Sequence, residues 1–253
     1  MKNQVSSLVL ALTGALASCG ALAAELKVLS AGAIKPVLVA ALPEFEQRTG
    51  HKVTIENDTA GGLLRRVRAG EKFDLLVMPQ GGLRELAAEG AVSVNGMLPL
   101  AKVGIGVAVK KGAPLPEIGS TAAFRAALLA ARNVAYIDPA AGGSSGIYLA
   151  KLFERMGIAE QIRPKAVLVP GGLVAQRLVT GEADFAVHQI SEILAVPGAT
   201  LVGPIPAEVQ NYTVYAAALS AKTGEVAAVQ QLLSALAGPQ VRAQLAAQGM
   251  EAP

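Results

Sequence analysis

The feature that most constrains the fold is an alternation of strand-like and helix-like segments, which occurs twice along the chain. In the first series, the β-branched run "KVTIEN" is followed by "LLRRVRAG", and the apolar run "FDLLVMP" by "GGLRELAAEG". The first segment of each pair has the composition of a strand, and the second has apolar residues at helical spacing. Such alternation predicts an α/β fold with mostly parallel strands and helices on both faces of the sheet. Ligands of these sheets bind beyond the carboxyl ends of the strands, so the site is expected in the loops there.

Two long strand-like runs, "AKVGIGVAVKKG" from Ala101 and "YTVYAAALS" from Tyr212, enclose the second series. We interpret them as the places where the chain leaves one lobe and later returns to it. The prediction is two α/β lobes joined by a two-strand hinge, with residues 25–104 and 206–253 in lobe 1 and residues 105–205 in lobe 2. A single lobe with one large sheet is the alternative, but two similar series in 253 residues fit two lobes better.

Residues 1–24 have the features of a signal peptide. Lys2 provides a basic start, residues 5–17 are apolar, and "ALAA" ending at Ala24 is a small-residue cleavage site. We therefore predict export to the periplasm, with a mature chain that begins at or just after Ala24. The segment "LASC" resembles a lipoprotein signal, so lipid anchoring at Cys19 is the alternative. Simple cleavage is favoured, because "ALAA" stands immediately before the first predicted strand.

The composition argues against disorder and against nucleic-acid binding. Apolar residues make up 52% of the chain and charged residues 16%, as expected for a well-packed globular protein. The net charge is only +3, there is no Trp, and there are five Phe and four Tyr. The chain therefore lacks the basic stripe and the aromatic platforms that hold nucleic acids. We expect a monomer without a cofactor and without a nucleic-acid partner.

Four loops are expected to line a cleft between the lobes, namely "SAGAIKP", "DTAGG", "PAAGGSSG" and "VHQISE". In the second loop Thr59 is a candidate helix cap, and Gly61 leaves the first N–H groups of the helix uncovered. In the third loop Ser144 and Ser145 precede another helix. Uncovered N–H groups at helix starts are suited to holding an anion. The sequence therefore predicts a small anionic ligand in the cleft.

Four longer segments, which contain these loops, resemble the cleft segments of a known family. "LKVLSAGAIKPVL", "DTAGGLLRRVRAGEKFDLLVMP", "IDPAAGGSSGIYLAKLFERMGI" and "GEADFAVHQISEI" are similar, in the same order, to those of the periplasmic molybdate-binding proteins. The resemblance covers nearly the whole chain from residue 25. It implies the two-lobed fold of type II periplasmic binding proteins, which closes on a small anion by hinge motion. It also implies delivery of that anion to an ABC permease in the inner membrane.

The residues that would bind molybdate differ from the family pattern. The serines expected in the first two loops fall on Ala33 and Ala60, so two hydroxyl donors are missing. Ser30 and Thr59 lie beside those positions and are possible substitutes. A family tyrosine corresponds to His188. Each hydrogen bond missing from a buried anion costs about 1–3 kcal/mol, so we expect weak molybdate binding and a different ligand.

An organic acid is a plausible ligand, because His188, Gln189 and Lys35 suit carboxylates as well as oxyanions. The leading hypothesis is a binding protein for an ABC importer. The alternatives are an aconitate isomerase-like enzyme on the same fold, with His188 as its acid/base group, and a ligand-sensing partner of a membrane kinase. Lys35, Asp58 and Glu192 are candidates for a second proton-exchanging group. The residues expected to contact the ligand are Ser30, Ala33, Lys35, Thr59, Ala60, Gly61, Ser144, Ser145, His188 and Gln189.

Other polar residues are expected to have structural roles. Asp74, Asp138 and Asp184 border predicted strands, and His51 is expected at the surface. The segment "HQISE" offers one histidine and one glutamate, which is a weak signal for a metal, so no metal site is predicted. His188 has a structural alternative too, since it could simply satisfy a loop carbonyl.

Overall fold

The computed structural model describes residues 23–93 and 96–253. Most of the predicted signal peptide, including Cys19, lies outside these residues. No helix of the described chain is both long enough and apolar enough to cross a membrane.

Two five-stranded sheets organise the chain. The first has the spatial order β2 (Lys52–Asp58), β1 (Glu25–Ala31), β3 (Leu75–Pro79), β10 (Thr213–Leu219) and β4 (Leu98–Val103). The second has the order β7 (Ala166–Val169), β6 (Val134–Ile137), β8 (Phe185–Gln189), β5 (Ile105–Lys110) and β9 (Ala199–Pro204). The two-lobe α/β fold expected from the sequence is therefore confirmed.

Each sheet is mixed, because one strand opposes its neighbours. In the first sheet β10 is antiparallel to both β3 and β4, and in the second β5 is antiparallel to both β8 and β9. The pairs of β1 with β2 and β3, and of β6 with β7 and β8, are parallel. The opposed strands β5 and β10 are those that enter a lobe directly from the other one. They need no helical crossover, which parallel neighbours require.

Helices cover the sheets on both faces. They are α1 (Lys35–Thr49), α2 (Ala60–Arg68), α3 (Gln80–Ala88), α4 (Thr121–Ala130), α5 (Ser144–Arg155), α6 (Ala159–Ile162), α7 (Gln176–Val179), α8 (Ile190–Leu194), α9 (Val226–Leu236) and α10 (Pro239–Gln244). Short 3-10 turns occupy Gly32–Ile34, Pro139–Ala141, Arg163–Lys165, Ala207–Val209 and Ala246–Gln248. The Thr59 hydroxyl accepts a hydrogen bond from the Gly62 N–H at 3.0 Å and so caps α2, as expected. Helix α5 begins at Ser144, so Ser144 and Ser145 form its first turn and do not precede it as expected.

The core is divided between the lobes. One apolar cluster fills lobe 1, and two clusters lie on opposite faces of the second sheet. The alternation along β5 shows this division, since Val107 belongs to one cluster and Ala108 to the other. Because each sheet has its own apolar layers, each lobe is packed around its own strands.

His51 is a correction to the sequence analysis. It is only 4% exposed, so the expected surface position was wrong. Its Nδ1 accepts a hydrogen bond from the N–H of Ala24 at 3.0 Å, and its ring packs against Phe45. The histidine thus links the residue before β1 to the segment between α1 and β2 by a hydrogen bond. This contact is long-range, so the local sequence around His51 does not reveal it.

The three aspartates have the structural roles expected of them. Asp74 accepts from the Lys27 N–H at 2.8 Å, and Asp138 accepts from the Ala140 N–H at 2.9 Å. Asp184 accepts from the N–H of Arg132 and of Asn133. Each carboxylate satisfies backbone groups at a strand end and does not line the cleft.

The chain crosses between the sheets at residue 104 and again after residue 204. The expected single strand from Ala101 is two strands, β4 and β5, which separate at Gly104 and join different sheets. The side chain of Gln210, on the return crossing, accepts from the Ile105 N–H at 2.8 Å and donates to the Ile105 carbonyl at 2.9 Å. The lobe boundaries drawn from the sequence, residues 25–104 with 206–253 and residues 105–205, stay a prediction.

Candidate functional site

A cavity of about 420 Å³ lies between the two sheets, at the carboxyl ends of β1, β2, β6 and β8. The four loops named in the sequence analysis all contribute to its wall. Ala33 represents the first loop, Thr59 the second, Ser144 the third and Gln189 the fourth. The topology thus gathers four segments that are far apart in the chain around one space.

Most of the candidate ligand-binding residues line this cavity. They are Ala33, Lys35, Thr59, Ala60, Ser144, Ser145, His188 and Gln189. Ser30 and Gly61 do not. Ser30 is fully buried and donates its hydroxyl to the Ala31 carbonyl at 3.0 Å, while Gly61 lies against Gly142. That the lining residues bind a ligand stays a prediction.

The two lobes touch at the rim of the cavity. The Thr59 hydroxyl donates to the Ala141 carbonyl at 2.7 Å, and the Gly61 N–H donates to the Gly142 carbonyl at 3.0 Å. On another side, the Ser191 hydroxyl donates to the Ala33 carbonyl at 2.8 Å. Each bond joins a segment that follows a strand of one sheet to a segment that follows a strand of the other, so the structure represents the closed form of the cleft.

His188 and Glu192 form a buried pair in the cavity wall. β8 ends just after His188, and the first turn of α8 brings Glu192 back beside it, so that Nε2 of His188 lies 3.3 Å from Oε2 of Glu192. The side chains are only 2% and 11% exposed. Burial lowers the pKa of His188 and raises the pKa of Glu192 to about 8, because removal from water disfavours each charged form. At neutral pH the pair is therefore an uncharged imidazole beside a protonated carboxyl group.

A second polar group, at the junction of the lobes, contains Gln189, Ser144, Thr213 and Tyr215. The Gln189 amide donates to Ser144 Oγ at 3.3 Å and to Thr213 Oγ1 at 3.1 Å. Burial raises the pKa of Tyr215 and keeps its phenol neutral, while a hydrogen bond with Ser144 acts in the opposite direction. The wall thus presents uncharged hydroxyl and amide groups.

Two buried polar atoms in this wall are unsatisfied. Within residues 23–93 and 96–253, Nδ1 of His188 and Oε1 of Gln189 have no hydrogen-bond partner. Buried polar atoms are nearly always paired, and an unpaired one costs about 1–3 kcal/mol. The two atoms belong to neighbouring residues of one cavity wall, so the unpaired groups are concentrated at one place.

Positive charge is sparse around the cavity. Lys35 lines it and donates its ammonium to Asn57 Oδ1 at 3.0 Å. Arg66 is instead held in an ion-pair network with Glu56 and Glu71, away from the cleft. A bound anion would therefore rest mainly on neutral donors, with Lys35 as its cationic neighbour.

Tyr215, Thr213 and Gly32 were missed by the sequence analysis. Tyr215 and Thr213 belong to β10, which reads as a plain strand, and only the pairing of β10 with β3 and β4 brings them to the cleft. Gly32 reads as one of many small loop residues. No local pattern marks these positions, because their importance arises from the opposite lobe.

The chain has extensive similarity to known proteins. Residues 26–251 match the model of a family described as bacterial extracellular solute-binding protein. An aconitate isomerase from a Pseudomonas species is 36% identical over 232 residues, which cover 88% of this chain and 87% of that protein.

Solved structures share the fold at lower identity. The periplasmic molybdate-binding protein of Azotobacter vinelandii has a TM-score of 0.75 at 19% identity and covers 90% of this chain and 99% of its own. The sulfate-binding protein SubI of Mycobacterium tuberculosis H37Rv has a TM-score of 0.72 at 17% identity, covering 90% of this chain and 87% of its own. At these identities the likeness concerns the fold.

Proposed function

The chain belongs to the bacterial extracellular solute-binding protein family, and we propose that it closes its lobes on a small polycarboxylate in the periplasm and isomerises it, as an aconitate isomerase. The observation that carries this proposal is the buried, uncharged pair of His188 and Glu192 in the cavity wall. The relative at 36% identity supports the same reaction class.

The cavity suits an organic acid better than a tetrahedral oxyanion. Its volume of about 420 Å³ falls within the range of small-molecule sites, about 300–1,000 Å³. Ala33 and Ala60 line it with methyl groups at the two positions where the molybdate-binding proteins are expected to supply hydroxyls. Ser144 and Tyr215 instead provide neutral hydroxyl groups, which can donate to carboxylates.

The Glu192 carboxyl group is the feature that favours catalysis over binding alone. An ionised carboxylate would repel an anionic ligand, so a receptor for anions gains nothing from one in its wall. A protonated carboxyl avoids this repulsion and can donate a proton. Beside it, the neutral imidazole of His188 can accept one, and the charges of a bound polycarboxylate raise the pKa of His188, which burial lowers in the empty cleft.

The proposed reaction is a proton shift across three carbons. A C–H bond of the methylene arm breaks, His188 takes the proton, and the electron pair moves into the neighbouring carbons. The double bond shifts as a proton is delivered to the far carbon by Glu192, and the pair regains its starting state by passing the proton from imidazole to carboxylate. The closed lobes exclude water from this exchange.

Uptake without turnover is the second candidate. Membership of the solute-binding family and the closed two-lobe cleft support a receptor that delivers the same polycarboxylate to an ABC permease. In this case the pair of His188 and Glu192 only hydrogen-bonds the ligand.

The absorbance of aconitate distinguishes the two candidates. We expect the purified protein to interconvert trans- and cis-aconitate, and the His188→Gln variant to be about 10²–10⁴-fold slower, the usual contribution of an acid/base group. A ligand at 100 times its Kd adds about 2.7 kcal/mol of stability, so thermal unfolding reports binding separately. Stabilisation by aconitate without conversion would identify a receptor. If aconitate neither stabilises the protein nor is converted, a tricarboxylate ligand is excluded.

A further inference from the structure

Gly32, in the first loop of lobe 1, faces the Glu192 carboxyl of lobe 2. A methyl group built on Gly32 would lie 2.5 Å from Oε1 of Glu192 and 3.5 Å from its Cδ. Apart from the chain neighbours of Gly32, Glu192 is the sole residue of the described chain within 4 Å of that point. The space that glycine leaves open is therefore occupied by one functional group.

The backbone itself does not require glycine at this position. Gly32 is not among the glycines with positive φ, and it begins a 3-10 turn that alanine tolerates. Gly50 and Gly142, by contrast, have left-handed backbones. Space for the opposite carboxyl is thus the remaining reason for glycine at residue 32.

The two oxygens of Glu192 are held from two sides. Oε2 lies 3.3 Å from Nε2 of His188 within lobe 2, and Oε1 rests against Gly32 of lobe 1. The adjacent hydroxyl of Ser191 donates to the Ala33 carbonyl at 2.8 Å, which fixes the start of α8 on the same loop. The contact with Gly32 crosses between lobes, so it forms only when the cleft closes.

We propose that Gly32 is a positioning residue, which leaves room for the Glu192 carboxyl and keeps it beside His188 in the closed cleft. Gly32 acts through Glu192 and transfers no proton itself. This inference rests on the proposed isomerisation for its effect on rate, whereas its effect on packing does not depend on that reaction.

The central experiment combines Gly32→Ala with changes at Glu192. The new methyl group displaces Oε1 of Glu192, and a misplacement of a catalytic carboxyl by about 1 Å can lower a reaction rate about 10²-fold. We expect kcat for trans-aconitate to fall by about that factor, with KM changed less than tenfold. In a Glu192→Asp background, whose carboxyl is one methylene further back, Gly32→Ala should cost less than tenfold in kcat.

Gly81→Ala is the matched control. Gly81 lies in the first turn of α3, in the same lobe, and a methyl group there would meet no atom within 4 Å. We expect this variant to keep the wild-type rate and unfolding temperature. A loss equal to that of Gly32→Ala would mean that any added methyl group has this effect, and it would overturn the inference.

Two further measurements keep this inference separate from the proposed function. Affinity for tricarballylate, the saturated analogue of aconitate, and the unfolding temperature of the unliganded protein are compared in wild-type and Glu192→Ala backgrounds. We expect Gly32→Ala to lower at least one of them in the wild type and neither in Glu192→Ala. If the wild type does not isomerise aconitate, the proposed function fails. The dependence of the Gly32→Ala effect on the presence of the Glu192 carboxyl still decides the role of Gly32. Equal effects of Gly32→Ala in both backgrounds, or no effect in either, would overturn it.

Discussion

The backbones of Gly61 and Gly142 meet across the rim of the cleft. The Gly61 N–H donates to the Gly142 carbonyl at 3.0 Å, and a Cβ on Gly61 would lie 2.7 Å from Gly142 Cα. No side chain fits between these backbones without moving the lobes apart. The closed form therefore depends on two glycines that face each other from the two lobes.

Gly61→Ala is expected to hinder closure without harming lobe 1. Gly61 lies in the first turn of α2 without a positive φ, where alanine is favourable for a helix, so the penalty falls on the closed form alone. We expect tricarballylate affinity to fall at least tenfold and the ligand-induced compaction seen by X-ray scattering to decrease. Gly81→Ala, which adds the same group to α3, should leave both unchanged. Wild-type compaction in Gly61→Ala would contradict this role.

The stability of the unliganded protein should fall as the pH rises from about 6.5 to 8. The pKa of Glu192 is raised from its ordinary value of 4.5 to about 8 in the closed structure, so in this window the folded state holds a proton that the unfolded chain has already lost. The stability associated with Glu192 is complete below pH 4.5 and is lost as the pH rises through the folded-state pKa. Below pH 6.5 the lowered pKa of buried His188 acts in the opposite direction, because only the unfolded chain takes up a proton there.

Glu192→Gln tests this dependence, since the amide has the same shape and does not ionise. Thermal unfolding of this variant should vary less with pH between about 6.5 and 8 than that of the wild type. The same slope in both proteins would show that Glu192 is not held protonated in the solution structure.

Ligand binding should be accompanied by proton uptake. Burial lowers the pKa of His188, so its imidazole is neutral in the empty cleft. A bound tricarboxylate raises that pKa, because nearby negative charges favour the imidazolium form. Calorimetry at pH 6 in two buffers of different ionisation enthalpy should therefore report uptake of up to one proton.

The His188→Gln variant should bind tricarballylate with less proton uptake than the wild type. His51, the other histidine, is bonded to Ala24 outside the cleft, so His51→Gln is the comparison that leaves uptake unchanged. Equal uptake in the wild type and in His188→Gln would assign the proton to another group.

Restoring the missing hydroxyls should change the choice of ligand. Ala33 and Ala60 line the cavity where the molybdate-binding proteins are expected to have serines. Each new hydrogen bond contributes about 0.5–1.5 kcal/mol, so Ala33→Ser combined with Ala60→Ser should tighten molybdate binding roughly tenfold or more. Calorimetry measures this gain, with the wild type expected to bind weakly. Sub-micromolar molybdate affinity in the wild type would refute the inference drawn from the two alanines.

Local patterns were sufficient for the fold but not for every element. The periodic runs of lobe 1 identified β2 to α3, whereas β9 was missed because the apolar run in Ala199–Pro204 is short and ends in glycine and proline. The break at Gly104 was missed because β4 and β5 read as one apolar strand, and only their pairing with different sheets separates them.

The site was predictable only where it follows strands directly. The loops after β1, β2, β6 and β8 could be placed together because the carboxyl ends of parallel strands share an edge. Glu192 could be named as one of several partners for His188, but the distance between them depends on the tight turn into α8. Tyr215 belongs to an antiparallel strand that returns from the other lobe, and no spacing in the sequence reveals that return.

The amide of Gln210 has a consequence for how the lobes separate. It bonds both the N–H and the carbonyl of Ile105, so the outgoing and the returning chain are tied together at one point. Two independent crossings would permit the lobes to slide as well as swing. We expect the tied crossings to favour rotation about a pivot near Ile105, so that the rim contacts far from it travel the greatest distance on opening.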